Sequence, residues 1–96
     1  MKPLPLNAEL CALARRVIWF ETPERALAGG PRFLAYVMTY GSPEDVVTVR
    51  RYIGRQGFAE ALESVPPGIL DERSWAYWNA MAGRYPPPPM PQRKFG

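Results

Sequence analysis

This 96-residue chain has no histidine and a single cysteine, Cys11. The first absence removes the usual general base and the commonest metal ligand, and the second leaves no thiolate cluster for zinc and no partner for an intrachain disulfide. Zinc sites and Cys-His catalysis are excluded, and a reducing cytoplasm is the expected compartment. No apolar run approaches the ~20 residues that span a bilayer. The stretch from Ala8 to Phe20 carries Glu9, Arg15 and Arg16, too polar for the core of a signal peptide. Neither a membrane span nor a signal segment is expected. No segment alternates apolar and polar residues over a strand's length with β-branched enrichment, so no sheet is expected either. The length allows one domain with one modest core.

Acid is also missing from the C-terminal end. Residues 84–96 hold Arg84, Arg93 and Lys94 and no Asp or Glu, so that end carries the whole net charge of +3 and leaves a neutral body over residues 1–83. A nucleic-acid-binding domain normally presents a basic face worth several phosphate contacts. That surplus is absent from the body. What the end does contain is proline: Tyr85-Pro86-Pro87-Pro88-Pro89-Met90-Pro91-Gln92-Arg93-Lys94-Phe95. Proline neither continues a helix nor donates to a sheet, so the stretch is expected to run as a polyproline II arm with its backbone open to solvent or a partner.

The body reads as a series of short helices. Asn7 caps a first helix with Leu10, Leu13, Ala14, Val17 and Ile18 at helical spacing, ending near Trp19-Phe20. Thr22-Pro23-Glu24 starts a second, stopped by Gly29-Gly30, and Pro31 starts a third through Phe33, Leu34, Val37 and Met38 to Gly41. Ser42-Pro43-Glu44-Asp45 is the strongest start signal: a side-chain cap, a proline at the first helical position and two acids facing the helix dipole. That fourth helix is expected to reach Gly54, followed by a turn at Gln56-Gly57 and a stripe of Phe58, Ala61, Leu62 and Val65 stopped by Pro66-Pro67-Gly68. Asp71 caps a last helix through Trp75, Trp78 and Ala82 to Gly83. The expected architecture is all-α: a compact bundle of about five to six short helices over residues 1–83, with an extended basic proline-rich arm over 84–96.

No catalytic constellation emerges. The pairs Glu44-Asp45 and Asp71-Glu72 each lie at a helix start, where acids stabilise the dipole. Gly29-Gly30 and Gly54-Arg55-Gln56-Gly57 follow no strand and lack the Lys-Ser/Thr ending of a phosphate loop, so they read as helix stops. No cofactor or metal is expected, and the chain is not expected to be an enzyme. Arg15-Arg16 and Arg50-Arg51 with Arg55 lie in C-terminal halves of helices, where cations complement the dipole and pair with acids one turn away. Residues 44–65 resemble a helix-turn-helix, but Arg50 falls where a small residue usually packs, and the second helix brings Glu60 and Glu63 toward phosphate. A DNA-binding regulator is thus the alternative rather than the first reading.

The aromatic residues point to binding. Trp75 and Trp78 share a helical face and form core or the floor of a groove, with Trp19-Phe20 expected to pack near them. Tyr77 and Tyr85 flank the arm and either fold it back on the body or help present it. Pro88-Pro89-Met90-Pro91-Gln92-Arg93 also fits the PxxPx-basic pattern of peptides that dock in SH3-type grooves.

Five stretches together carry a family resemblance: Val17-Ile18-Trp19-Phe20, Arg32 to Met38, Tyr40-Gly41-Ser42-Pro43-Glu44-Asp45-Val46, Arg51-Tyr52-Ile53-Gly54 and Arg73-Ser74-Trp75-Ala76-Tyr77-Trp78. They resemble a family of small bacterial proteins commonly encoded beside nucleotidyltransferase toxins of the abortive-infection kind, the antitoxin half of a two-gene module. The similarity spans about residues 17–83 and stops before the arm. It carries no catalytic residues. What it implies is a cytoplasmic helical protein that binds and restrains a cognate nucleotidyltransferase toxin, with no membrane and no nucleic acid as partner. Such a toxin admits a nucleotide into an acidic, metal-binding cleft, which a neutral body with a basic arm would cover. Trp75, Trp78, Tyr85, Met90, Arg93, Lys94 and Phe95 are the expected partner-binding residues, the cations drawn to carboxylates and Met90 and Phe95 adding apolar anchors. A generic helical interaction module is the remaining alternative.

Overall fold

Four of the five helices begin where a side chain accepts from a free amide of the first turn. In the computed structural model, which describes residues 3–90, Asn7, Thr22, Ser42 and Asp71 accept from the amides of Leu10, Arg25, Asp45 and Ser74. They open α1 (Ala8–Val17), α2 (Pro23–Ala28), α4 (Pro43–Glu63) and α5 (Glu72–Met81). The remaining helix, α3 (Pro31–Tyr40), starts at a proline behind Gly30 and ends at Gly41. Among the described residues the protein is all-α.

Helix α3 is the hub. Phe33, Leu34, Ala35 and Val37 are wholly buried, and α3 packs against each of the other helices. Leu10, Leu13, Ala14 and Ile18 of the α1 region and Val46, Val49, Ile53, Phe58 and Leu62 of α4 complete a single core. Fully burying a large apolar side chain contributes about 1.5–3 kcal/mol, so the cluster outweighs any surface ion pair in holding the bundle. The Cα radius of gyration, 12.8 Å, agrees with the ~13 Å of a compact domain of this size.

The fourth helix breaks at Gly54, where its end is expected, but the turn expected beyond it is absent. Gln56 and Gly57 are helical rather than a turn, and the interruption is Gly54 itself, at φ 76° and ψ 170°. That conformation is essentially restricted to glycine. A Cβ on Gly57 would meet Ile53 Cβ at 3.2 Å, so this glycine permits the second limb to lie close beside the first. The kinked α4 thus serves as two helices, bringing Phe58 and Leu62 back onto the core.

Candidate functional site

The turn between α1 and α2 follows from Ile18, whose φ of −130° and ψ of 68° end the first helix. The Glu21 amide donates to the Ile18 carbonyl at 3.3 Å, which leaves Trp19 and Phe20 at the centre of the turn. The helical stripe of α1 is already complete with Val17 and Ile18, so neither aromatic ring is drawn into the core. Trp19 is 80% and Phe20 52% exposed. The expectation that they pack near Trp75 and Trp78 is not met, because the turn aims them outward and across to α3.

There they join a row of rings. Trp19 and Phe20 meet edge to face at 5.6 Å, Phe20 meets Tyr36 at 6.0 Å, and Tyr36 stacks on Tyr40 at 5.8 Å. Tyr40 is 67% exposed. Two cations fix the frame. Arg32 donates to both carboxylate oxygens of Glu21, at 2.8 and 3.1 Å, while its guanidinium lies 5.1 Å from the centre of the Tyr36 ring. Arg16 reaches the other flank, where it lines a shallow groove with Val17, Trp19, Phe20 and Tyr40. Arg16 is itself held by Asp45 at 2.8 and 2.9 Å. Each pairing favours the charged arginine, and the hydrogen bonds from Arg16 hold the Asp45 carboxyl below the usual carboxylate range. The row is anchored at half-buried Tyr36, beside the paired Arg32, and exposes Trp19, Phe20 and Tyr40.

The residues expected from sequence to bind a partner lie elsewhere. Trp75 is 4% exposed and belongs to the core, and its indole N–H donates to the Pro88 carbonyl at 2.7 Å. Trp78 is half-buried and meets Phe58 and Tyr77 edge to face at 6.3 and 4.8 Å. Met90 packs against the core, whereas Tyr85 is 83% exposed. Arg93, Lys94 and Phe95 lie outside the described residues. The body thus holds the arm as far as Met90, aided by a 3.5 Å ion pair between Arg84 and Glu63 and by the Arg84 amide donating to the Asn79 carbonyl at 2.8 Å.

Two of the three arginines of α4 have internal partners, while Arg55 is exposed. Arg50 lies over the Phe58 ring at 5.3 Å, and Arg51 donates to Glu9 at 3.1 Å. This arrangement matches the packing and pairing roles rather than a row of free cations along one helix. Among the described residues, no three Cys, Asp or Glu side chains come together as a metal site would require, and no helix is long and apolar enough to cross a membrane.

Sequence reasoning missed Trp19, Phe20, Tyr36 and Tyr40 as one site. A signal was present for the first two, since they fall beyond a finished apolar stripe and immediately before a Thr-Pro helix start. Their meeting with α3 depends on tertiary packing, which no local pattern encodes. No family model, curated protein or solved structure matches the chain.

Proposed function

We propose that this chain is a non-enzymatic, antitoxin-type binding protein that restrains a nucleotidyltransferase by direct contact through the face formed by Trp19, Phe20, Tyr36 and Tyr40. The observation that carries the reading is a row of four rings, three of them exposed and anchored on half-buried Tyr36, framed by the ion-paired Arg16 and Arg32. Contiguous exposed apolar surface is rare on a monomer and marks interaction sites. Trp, Tyr and Arg are also the residue types that dominate binding energy at interfaces. Tyr36, half-buried against the core and paired with Arg32, is held before docking, which lowers the side-chain entropy lost on association.

The resemblance over residues 17–83 supplies the partner class, and the aromatic residues Trp19, Phe20, Tyr36 and Tyr40 all fall within it. The apolar rings provide the anchor. Arg16 and Arg32, each already paired, retain donors at the rim for carboxylates of an acidic nucleotide cleft. The basic end with Arg93, Lys94 and Phe95 is a second contact in this reading, reached from a neutral body by a strap that the body holds as far as Met90.

Co-expression with the product of the adjacent reading frame, which the proposal expects to be a nucleotidyltransferase, tests it. The chain is expected to restore growth and to co-purify with the enzyme, and a Trp19→Ser/Phe20→Ser variant to do neither while keeping its helical spectrum. Growth arrest unrelieved by the wild-type chain, with no complex recovered, would overturn it.

A further inference from the structure

The Trp75 indole and the proline stretch stand in the relation of a receptor to its ligand. Carbonyl groups of a polyproline II segment have no hydrogen bonds within their own helix, and indole is a donor without acceptor capacity, so a carbonyl beside a fixed indole is a natural match. Here the match is close: the 2.7 Å separation lies at the short end of the range for N–H···O bonds. Burial along the segment has the three-residue period of that helix. Pro87, Pro88 and Met90 are half-buried, and Pro86 and Pro89, three residues apart, are exposed. The segment rests on the body through Pro87, Pro88 and Met90 and leaves the Pro86 and Pro89 row to solvent.

The segment adds a half-buried edge to the core rather than a buried layer of it. Among the described residues every buried apolar side chain lies at or before Trp75, and none belongs to residues 84–90. The segment lies over the outside of the core with Met90 half-buried against it, as a docked peptide does, and the proline rings lower the entropy cost of that contact.

We infer that Trp75, with the surface beneath Pro87 and Met90, is a recognition site for a proline-rich peptide of the Pro-Pro-x-Met kind, and that residues 86–90 are its resident ligand. The donor of Trp75 selects a free backbone carbonyl, and the three-residue period places a proline and a methionine on the same face as paired apolar contacts. Attachment to the same chain gives the resident segment an effective concentration of about millimolar. A free peptide therefore competes only when the resident segment is weakened. The inference is independent of the aromatic row and of the nucleotidyltransferase reading.

The test uses the full chain and a capped peptide of residues 83–90. In a full-length Pro87→Gly/Pro88→Gly/Met90→Asp variant, the nitrogen-15 indole resonance of Trp75, assigned with Trp75→Phe, is expected to move and to exchange freely with water. Adding the peptide should return it toward its wild-type position with a saturable, sub-millimolar dissociation constant. A peptide carrying Met90→Ala should bind at least several-fold more weakly. An unmoved resonance on peptide addition would overturn the inference, and so would failure of the triple variant to fold, since that would make the segment part of the core. Hydrogen exchange of the wild-type chain gives a second reading: the Trp75 indole should exchange at least tenfold faster than the amides of Leu34 and Val49. Equal rates would mean that the contact opens only when the whole protein unfolds, and would contradict a displaceable ligand.

Discussion

Arg16, in the last turn of α1, grips the carboxylate of Asp45, in the first turn of α4, through two hydrogen bonds of 2.9 and 2.8 Å. The same carboxylate accepts from the Ser42 amide at 2.9 Å, while the Ser42 hydroxyl accepts from the Asp45 amide at 3.2 Å. One side chain closes a capping box and ties two helices together. The Arg16 side chain is 59% exposed, so the ion pair itself contributes at most about 1 kcal/mol. Asp45→Ala, which also loses the cap, is expected to destabilise the fold by roughly 1–3 kcal/mol in urea unfolding.

The pH dependence of that contribution has a definite sign. Hydrogen bonds from Arg16, and then from Ser42, lower the Asp45 pKa in the folded state. The stabilisation is therefore fully present above the ordinary carboxylate value of about 3.9 and is lost as pH falls through the lower folded value. The stability difference between wild type and Asp45→Asn is expected to be constant above pH ~5 and to shrink progressively below pH ~4. Denaturant midpoints measured across that interval provide the check, and a difference that grew on acidification would contradict the assignment.

Gly54 is the hinge of α4. At φ 76° and ψ 170° a side chain would have open space, with no atom within 4 Å of the point its Cβ would occupy, yet the backbone conformation itself is strained for any L-residue. Gly54→Ala is expected to cost about 1–3 kcal/mol. Calorimetric melting of the variant measures it, and an unchanged or raised midpoint would show that α4 can straighten without loss.

Phe58 tests the return limb. It is 1% exposed, meets the Trp78 ring at 6.3 Å and carries Arg50 over its face. Phe58→Ala is expected to destabilise by about 3–5 kcal/mol, near the top of the range for single substitutions. Loss of the near-ultraviolet signal from Trp78 should accompany the lower denaturant midpoint.

The local grammar of the sequence is a good guide to where helices begin. Ser42-Pro43-Glu44-Asp45 reads directly as a capping box, and Asn7, Thr22 and Asp71 are caps in the structure. The kink is legible as a glycine but reads from sequence as a turn at Gln56-Gly57, because only the backbone angles distinguish a helical glycine from a hinge. The aromatic face is not legible, since Tyr36 and Tyr40 look like ordinary helix residues until the α1–α2 turn brings Phe20 to 6.0 Å from Tyr36. Trp75 and Met90 stand out in the sequence, but as contacts for a partner. Their tie to the body depends on an indole and a carbonyl 13 residues apart, a pairing that periodicity does not reveal.

The most direct measurement is calorimetric titration of the purified chain into the product of the adjacent reading frame, which the proposal expects to be a nucleotidyltransferase, beside Trp19→Ala and Tyr85→Ala variants. Trp19 lies in the proposed contact, whereas Tyr85 is equally exposed but outside it. Trp19→Ala is expected to weaken binding by roughly thirtyfold, the equivalent of about 2 kcal/mol for an interface anchor, and Tyr85→Ala to leave it within about twofold. Unchanged affinity for Trp19→Ala in a folded variant would contradict the assignment of the aromatic face as the binding surface.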